Sequence, residues 1–183
     1  MKKLFGFCGI ITCLVLNACK DKVVPLGELT NAYLPLAVGN YWNLDTFGLR
    51  EITETKVFDG KAYYAIMQSH DTSYVRNEGD KIIEYYQGKT SVIFDLNADV
   101  NDTWQYRDYT VKLTSKTETI KIGGQEIKNC YRFYFDIPPM ADDEHAIWLA
   151  SGIGFIQQEC YGACIGGKNK LKEMKLDGKV YRL

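Results

Sequence analysis

Tyr109-Thr110-Val111-Lys112-Leu113-Thr114 alternates apolar and polar side chains one by one, and Tyr131-Arg132-Phe133-Tyr134-Phe135-Asp136-Ile137 does the same beyond the pair Gly123-Gly124. Successive side chains of an extended chain point to opposite faces, so each segment has one face to bury and one to leave in water. Tyr109, Val111 and Leu113 share the first apolar face; Tyr131, Phe133, Phe135 and Ile137 share the second. Two such segments around a glycine pair predict a long antiparallel hairpin, with strands over 109–117 and 131–137. Pro138-Pro139 then ends the second strand, because proline cannot donate to a ladder.

The rest of the chain repeats this grammar. Asp59-Gly60, Glu78-Gly79-Asp80, Gln87-Gly88-Lys89, Gly166-Gly167 and Asp177-Gly178 punctuate stretches rich in Val, Ile, Thr, Tyr and Phe. Gly, Asn and Asp tolerate the positive φ that tight hairpin turns require. Thirteen Tyr, eight Phe and three Trp against four Pro suit half-buried pleated surfaces. No segment beyond the N-terminus sustains a 3.6-residue apolar period. The expected fold is all-β, a strongly curved antiparallel sheet or open half-barrel of hairpins with little helix. Its core is expected from Trp42, Trp104, Val111, Leu113, Tyr131, Phe133, Phe135, Ile137, Trp148, Ile153 and Phe155.

One internal echo stands out. Val38-Gly39-Asn40-Tyr41-Trp42 and Val100-Asn101-Asp102-Thr103-Trp104 each place a residue tolerant of the left-handed conformation three positions before a Trp that should begin a strand. Convergent turn chemistry and a duplicated half-domain both produce such a pair.

The first eighteen residues have a different character. Lys2 and Lys3 precede Leu4 to Leu16, an apolar run interrupted by Thr12 and too short to cross ~30 Å of hydrocarbon as a helix. Leu16-Asn17-Ala18-Cys19 closes it and resembles the cleavage and lipidation site of a bacterial lipoprotein signal. The organisation expected is a signal peptide over 1–18, a lipidated tether over 19–32 and one β-rich domain over 33–183. Lipid on Cys19 would tie the mature chain to a membrane. Lys20 stands where well-studied systems carry the aspartate that retains lipoproteins at the inner membrane. The expected location is therefore the outer membrane, lipid-anchored, on its periplasmic or surface face. Without residues 1–18 the chain keeps 20 basic and 23 acidic side chains, a formal charge near −3 that argues against nucleic acid as a partner.

Three segments carry a wider resemblance: Tyr33-Leu34-Pro35-Leu36-Ala37-Val38-Gly39-Asn40-Tyr41-Trp42, Asn101-Asp102-Thr103-Trp104 and Trp148-Leu149-Ala150-Ser151-Gly152-Ile153-Gly154-Phe155-Ile156. Together they resemble landmarks of a broad group of small bacterial outer-envelope lipoproteins without assigned activities. The resemblance implies a domain similar to the half-barrels of periplasmic lipoprotein carriers, wrapped around an apolar interior. Its motifs are structural and transfer no catalytic residue.

Candidate chemistry is sparse. Cys160 and Cys164 bracket Tyr161-Gly162-Ala163, and in an oxidising compartment a disulfide between them is expected, with pairing of Cys160 to Cys130 as the alternative. His70 and His145 are far from these cysteines in sequence, so no metal is expected there. Asp95, Asn97, Asp99 and Asn101 alternate like part of a calcium loop but lack its glycine and its downstream glutamate. No cofactor motif is present. Asp142-Asp143-Glu144-His145 crowds acids beside a base and is the only basis for an alternative reading as an envelope hydrolase. Tyr63-Tyr64 and Tyr85-Tyr86 are consecutive, so one ring of each pair must face away from the core, as a ligand-facing aromatic or as cross-strand packing. The function expected is a non-catalytic binding or scaffold module held at the membrane, with a glycan, an apolar or lipid ligand, or a protein as partner.

Overall fold

The computed structural model describes residues 32–138, 140, 143–161 and 167–183. The segment ending at Cys19, most of the tether, Asp142 and Cys164 lie outside the described residues. Among the described residues there are thirteen strands and no helix. In chain order they are β1 (Tyr41–Leu44), β2 (Gly48–Phe58), β3 (Lys61–Gln68), β4 (Asp71–Glu78), β5 (Lys81–Tyr86), β6 (Lys89–Asp95) and β7 (Thr103–Tyr106). Then follow β8 (Tyr109–Ile122), β9 (Gln125–Asp136), β10 (His145–Ala150), β11 (Gly154–Cys160), β12 (Lys168–Leu176) and β13 (Lys179–Arg182).

Two antiparallel six-stranded meanders, β1 to β6 and β7 to β12, are joined through the β1–β12 ladder into one curved sheet. Its order is β6-β5-β4-β3-β2-β1-β12-β11-β10-β9-β8-β7, with β13 paired to β12. The expected curved sheet is realised and carried beyond a half-barrel, because its end strands β6 and β7 come together and nearly close it. Side chains bridge that seam: Trp104 Nε1 on β7 donates to Val92 O on β6 at 3.1 Å. That side-chain bond occupies one of the backbone acceptors that the β6 edge would otherwise offer to another chain.

The hairpin legible in the sequence is β8–β9, turning at Gly123-Gly124, with Val111 opposite Phe135 and Leu113 opposite Phe133. Ile137 falls just outside β9. Three register shifts between Leu113 and Ile120 bend the far half of the hairpin toward β12, as bulges do. There Lys170 Nζ donates to Lys121 O at 2.8 Å. Trp148 is buried on the face of β10 opposite Ile147, and its indole donates to Glu118 Oε2 at 2.6 Å. Trp104, Tyr131 and Ile137, expected in the core, are only partly buried.

The sequence echo is a structural one. Gly39 and Asn101 have φ of 86° and 82°. Gly39 N donates to Ile52 O at 2.8 Å, and Asn101 N to Leu113 O at 2.7 Å. Returning bonds run from Ile52 N to Asn40 O (2.9 Å) and from Leu113 N to Asp102 O (3.1 Å). Both meanders thus begin with the same turn docked on the second strand in the same register. Among the described residues the core forms one cluster drawn from 34–181.

Candidate functional site

Leu34, 1 % exposed, lies on the chain leading into β1 and closes one end of the barrel interior, with its carbonyl accepting from Asn77 Nδ2 at 3.0 Å. Above it the interior is not filled. A cavity of about 250 Å³ lies among Ile66, Val75, Ile82, Phe94, Phe135 and Phe155, and extends toward the rim where β3 turns into β4, β7 into β8, and β9 into β10. Gln68, Asp71, Ser73, Tyr106, Tyr109 and His145 line it toward that rim.

One full charge sits within the apolar part. Arg50 on β2 is 6 % exposed, and burial lowers its pKa to about 10, which still leaves it a cation at neutral pH. Its Nε donates to Gln68 Oε1 at 2.9 Å, its Nη2 donates to Gln158 Oε1, and its guanidinium lies over the Phe155 ring, 4.5 Å from the centroid. Gln68 is itself oriented by donating from Nε2 to Phe47 O at 3.1 Å. Both glutamine oxygens are neutral acceptors. Among the described residues no carboxylate pairs with Arg50, and its Nη1 makes no hydrogen bond. A buried cation normally has a charged partner, since desolvation costs several kcal/mol.

The opposite solution appears nearby. Glu84 is fully buried on β5 and accepts from Arg107 Nε (2.8 Å), Arg107 Nη2 (2.6 Å) and Tyr106 Oη (2.8 Å). Burial and the Glu84 carboxylate push the Tyr106 hydroxyl well above its usual range. Because Arg107 follows β7 and Glu84 lies on β5, this fully satisfied set ties the seam at the cavity rim.

The residues singled out in the sequence scatter around this site. Tyr64 pairs across with the cavity-lining Val75, so Tyr63 and Tyr85 face outward. Tyr63 is only 1 % exposed, covered within a cluster in which Phe58 stacks on Tyr85 with centroids 4.2 Å apart. Tyr86 is 44 % exposed and carries the Arg107 guanidinium 3.8 Å over its ring. Within the acidic cluster, Asp143 Oδ2 accepts from Ile137 N at 3.0 Å and so holds the loop between β9 and β10. His145 stacks on Phe135 at 4.7 Å and meets Tyr109 edge-on at 5.4 Å. Burial lowers its pKa, and the Arg50 charge acts in the same direction. The histidine thus belongs to the cavity wall as a neutral ring. Asp142 lies outside the described residues.

Cys160 is disulfide-bonded and Cys130 is free, which removes the Cys130–Cys160 pairing; Cys164 lies outside the described residues. Burial raises the Cys130 thiol to about 11, and its Sγ donates to Ile127 O at 3.2 Å, so it packs as an inert small side chain. Among the described residues no three His, Cys, Asp or Glu side chains converge as metal ligands would.

Sequence reasoning missed Arg50. Arg50, Glu51, Glu54 and Lys56 put charges on both faces of β2, and alternation alone gives no sign of which charge turns inward. The signal available was the cross-strand comparison between the two echoes: Trp42 stands opposite Arg50, whereas Trp104 stands opposite Val111.

Fold and site define an all-β, nearly closed meander barrel with an apolar interior cavity and an internal arginine that, among the described residues, has no carboxylate partner. No protein-family profile and no curated protein matches the chain. A solved structure described as "a putative lipoprotein from Parabacteroides distasonis ATCC 8503" matches at 13% identity and a TM-score of 0.35, covering 80% of this chain and 99% of that chain. The functional reading rests on the geometry of this chain.

Proposed function

We propose that this protein is a lipid-anchored envelope lipoprotein whose barrel binds an apolar or amphipathic small molecule in its interior without transforming it. The observation that carries the reading is the cavity of about 250 Å³, walled by Ile66, Val75, Ile82, Phe94, Phe135 and Phe155. Packed interiors leave few voids larger than a water molecule, so an apolar cavity of this size suits a small-molecule ligand. At the ~30 Å³ a water-sized group occupies, it holds roughly eight such groups, the scale of a medium-length acyl chain.

The anchor in this reading is Cys19, on the motif Leu16-Asn17-Ala18-Cys19, and the outer membrane is the destination suggested by Lys20. The described chain enters the barrel at the end closed by Leu34, opposite the rim toward which the cavity extends, an arrangement suited to receiving a ligand at that rim. A non-catalytic role is supported by the employment of the polar groups: Asp143 holds a loop and His145 packs against two rings. Native mass spectrometry of the unlipidated chain from residue 20 tests the proposal. A retained amphiphile, or saturable uptake of an apolar fluorophore lost on Ile66→Trp within the cavity, is expected. Absence of both overturns the reading.

A further inference from the structure

We infer that the cavity ligand carries a single carboxylate, received by Arg50 inside the barrel, so that the ligand class is a monoanionic medium-chain carboxylic acid. This rests on the apolar-ligand reading and goes beyond it by naming the head group and where it lies.

Arg50 is placed as a receptor for an anion. It is more than nine-tenths buried, lines the cavity, and holds its charge against burial with only two neutral glutamine oxygens and an aromatic face around it. Gln68, Gln158 and Phe155 fix the guanidinium plane and occupy one N–H of Nε and one of Nη2, leaving the Nη1 donors unused. A guanidinium presents its donors in a rigid fork that matches a carboxylate, and a charge-assisted bond of that kind gains strength where water is excluded.

The two meanders give an independent comparison. The position opposite the first-strand tryptophan is Arg50 in one and Val111 in the other, and both are buried. The barrel therefore accommodates an aliphatic residue at this register, and the fold alone does not call for the arginine.

The rest of the lining selects the charge. Among the described residues Arg50 is the sole lysine or arginine on the cavity wall, and His145 is held toward its neutral form. Asp71, at the exposed start of β4, adds a negative charge toward the rim. One internal cation behind an acidic rim suits one negative charge better than a phosphate dianion, and the apolar wall beyond it suits an alkyl chain.

The test is calorimetric titration of the chain from residue 20 with octanoate, 1-octanol, octylamine and octyl phosphate, in the wild type, Arg50→Met and Arg50→Lys. Octanoate is expected to bind tightest in the wild type and at least about 30-fold more weakly in Arg50→Met, the scale for losing one partner of a buried charge pair. Octanol should bind both proteins alike, and Arg50→Lys should be intermediate, keeping the charge without the fork. Unfolding midpoints show that each variant is folded, and if Arg50→Met fails to fold, Arg50→Lys carries the comparison. Equal binding of octanoate and octanol, or no change in the arginine variants, overturns the head-group assignment and leaves the apolar cavity standing. Preference for octylamine or octyl phosphate overturns it as well. Binding of none of the four overturns both readings.

Discussion

Gly154 opens β11 with φ at +90°, and a Cβ placed there would lie 2.7 Å from Trp42 Nε1 and 2.8 Å from its Cε2 and Cζ2. Trp42 is fully buried, and its indole N–H donates to the Ile153 carbonyl, so the ring cannot swing aside without losing that bond. Gly154→Ala therefore carries two costs. A non-glycine residue at positive φ costs ~1 kcal/mol or more, and overpacking a filled site adds ~1–3 kcal/mol. We expect a loss of about 3 kcal/mol, which at a urea slope of ~2 kcal/mol/M lowers the midpoint by roughly 1.5 M. Gly124→Ala supplies the control, since φ there is +81° but a Cβ meets nothing within 4 Å. It should cost only the backbone share. Urea unfolding followed by tryptophan fluorescence reads both variants, and Trp42→Leu combined with Gly154→Ala should recover part of the loss through coupling. If Gly154→Ala costs no more than Gly124→Ala, the steric account of this glycine is wrong.

Three further outcomes follow from named contacts. Glu84→Gln leaves Arg107 and Tyr106 facing a neutral group, and because Arg107 is partly solvated the loss should be near the lower end for a broken buried pair, about 3 kcal/mol; an unchanged melting curve would contradict the seam assignment. His145 has its pKa lowered by burial, so below about 6.5 the unfolded chain takes up a proton that the folded chain resists, and stability falls with pH until the lowered folded value is passed. His145→Phe, which keeps a ring against Phe135, should flatten that acid limb in urea midpoints measured from pH 8 to 5; parallel limbs would refute it. Cys19→Ser should accumulate as the unprocessed precursor without acyl mass in mass spectra of the membrane fraction, and normal processing would sink the anchor assignment.

The sequence displayed hairpins because their signal is local. Alternation over 109–114 and 131–137 determines which faces are buried, and Asp59-Gly60, with φ of 48° and 73°, is a turn readable from two letters. Closure was not readable, because the β1–β12 ladder joins residues about 130 positions apart, and the seam depends on where Trp104 and Arg107 land after both meanders have curved. Trp104 illustrates the difference. Its strand is legible from the turn before it, but it is less buried than Trp42 because it sits at the side-chain seam, while Trp42 sits beside the continuous ladder. Tyr63 takes the packing alternative for a similar reason: outward on the sheet does not mean exposed when Phe58 and Tyr85 cover it.

The repeated opening turns that limitation into a tool. Two segments with one turn geometry and one register solve the same folding problem, so where they differ the fold has tolerated both choices. At the position opposite tryptophan the choices are Val111 and Arg50. Burial lowers the Arg50 pKa to about 10, so keeping that side chain charged costs the folded state stability. The two glutamine bonds and the Phe155 face offset part of that cost, and valine would incur none of it. Stability by itself thus disfavours the arginine. A residue that works against the fold, at a position where the other half of the same barrel uses an aliphatic side chain, is the kind of local inconsistency that marks a functional group rather than a structural one.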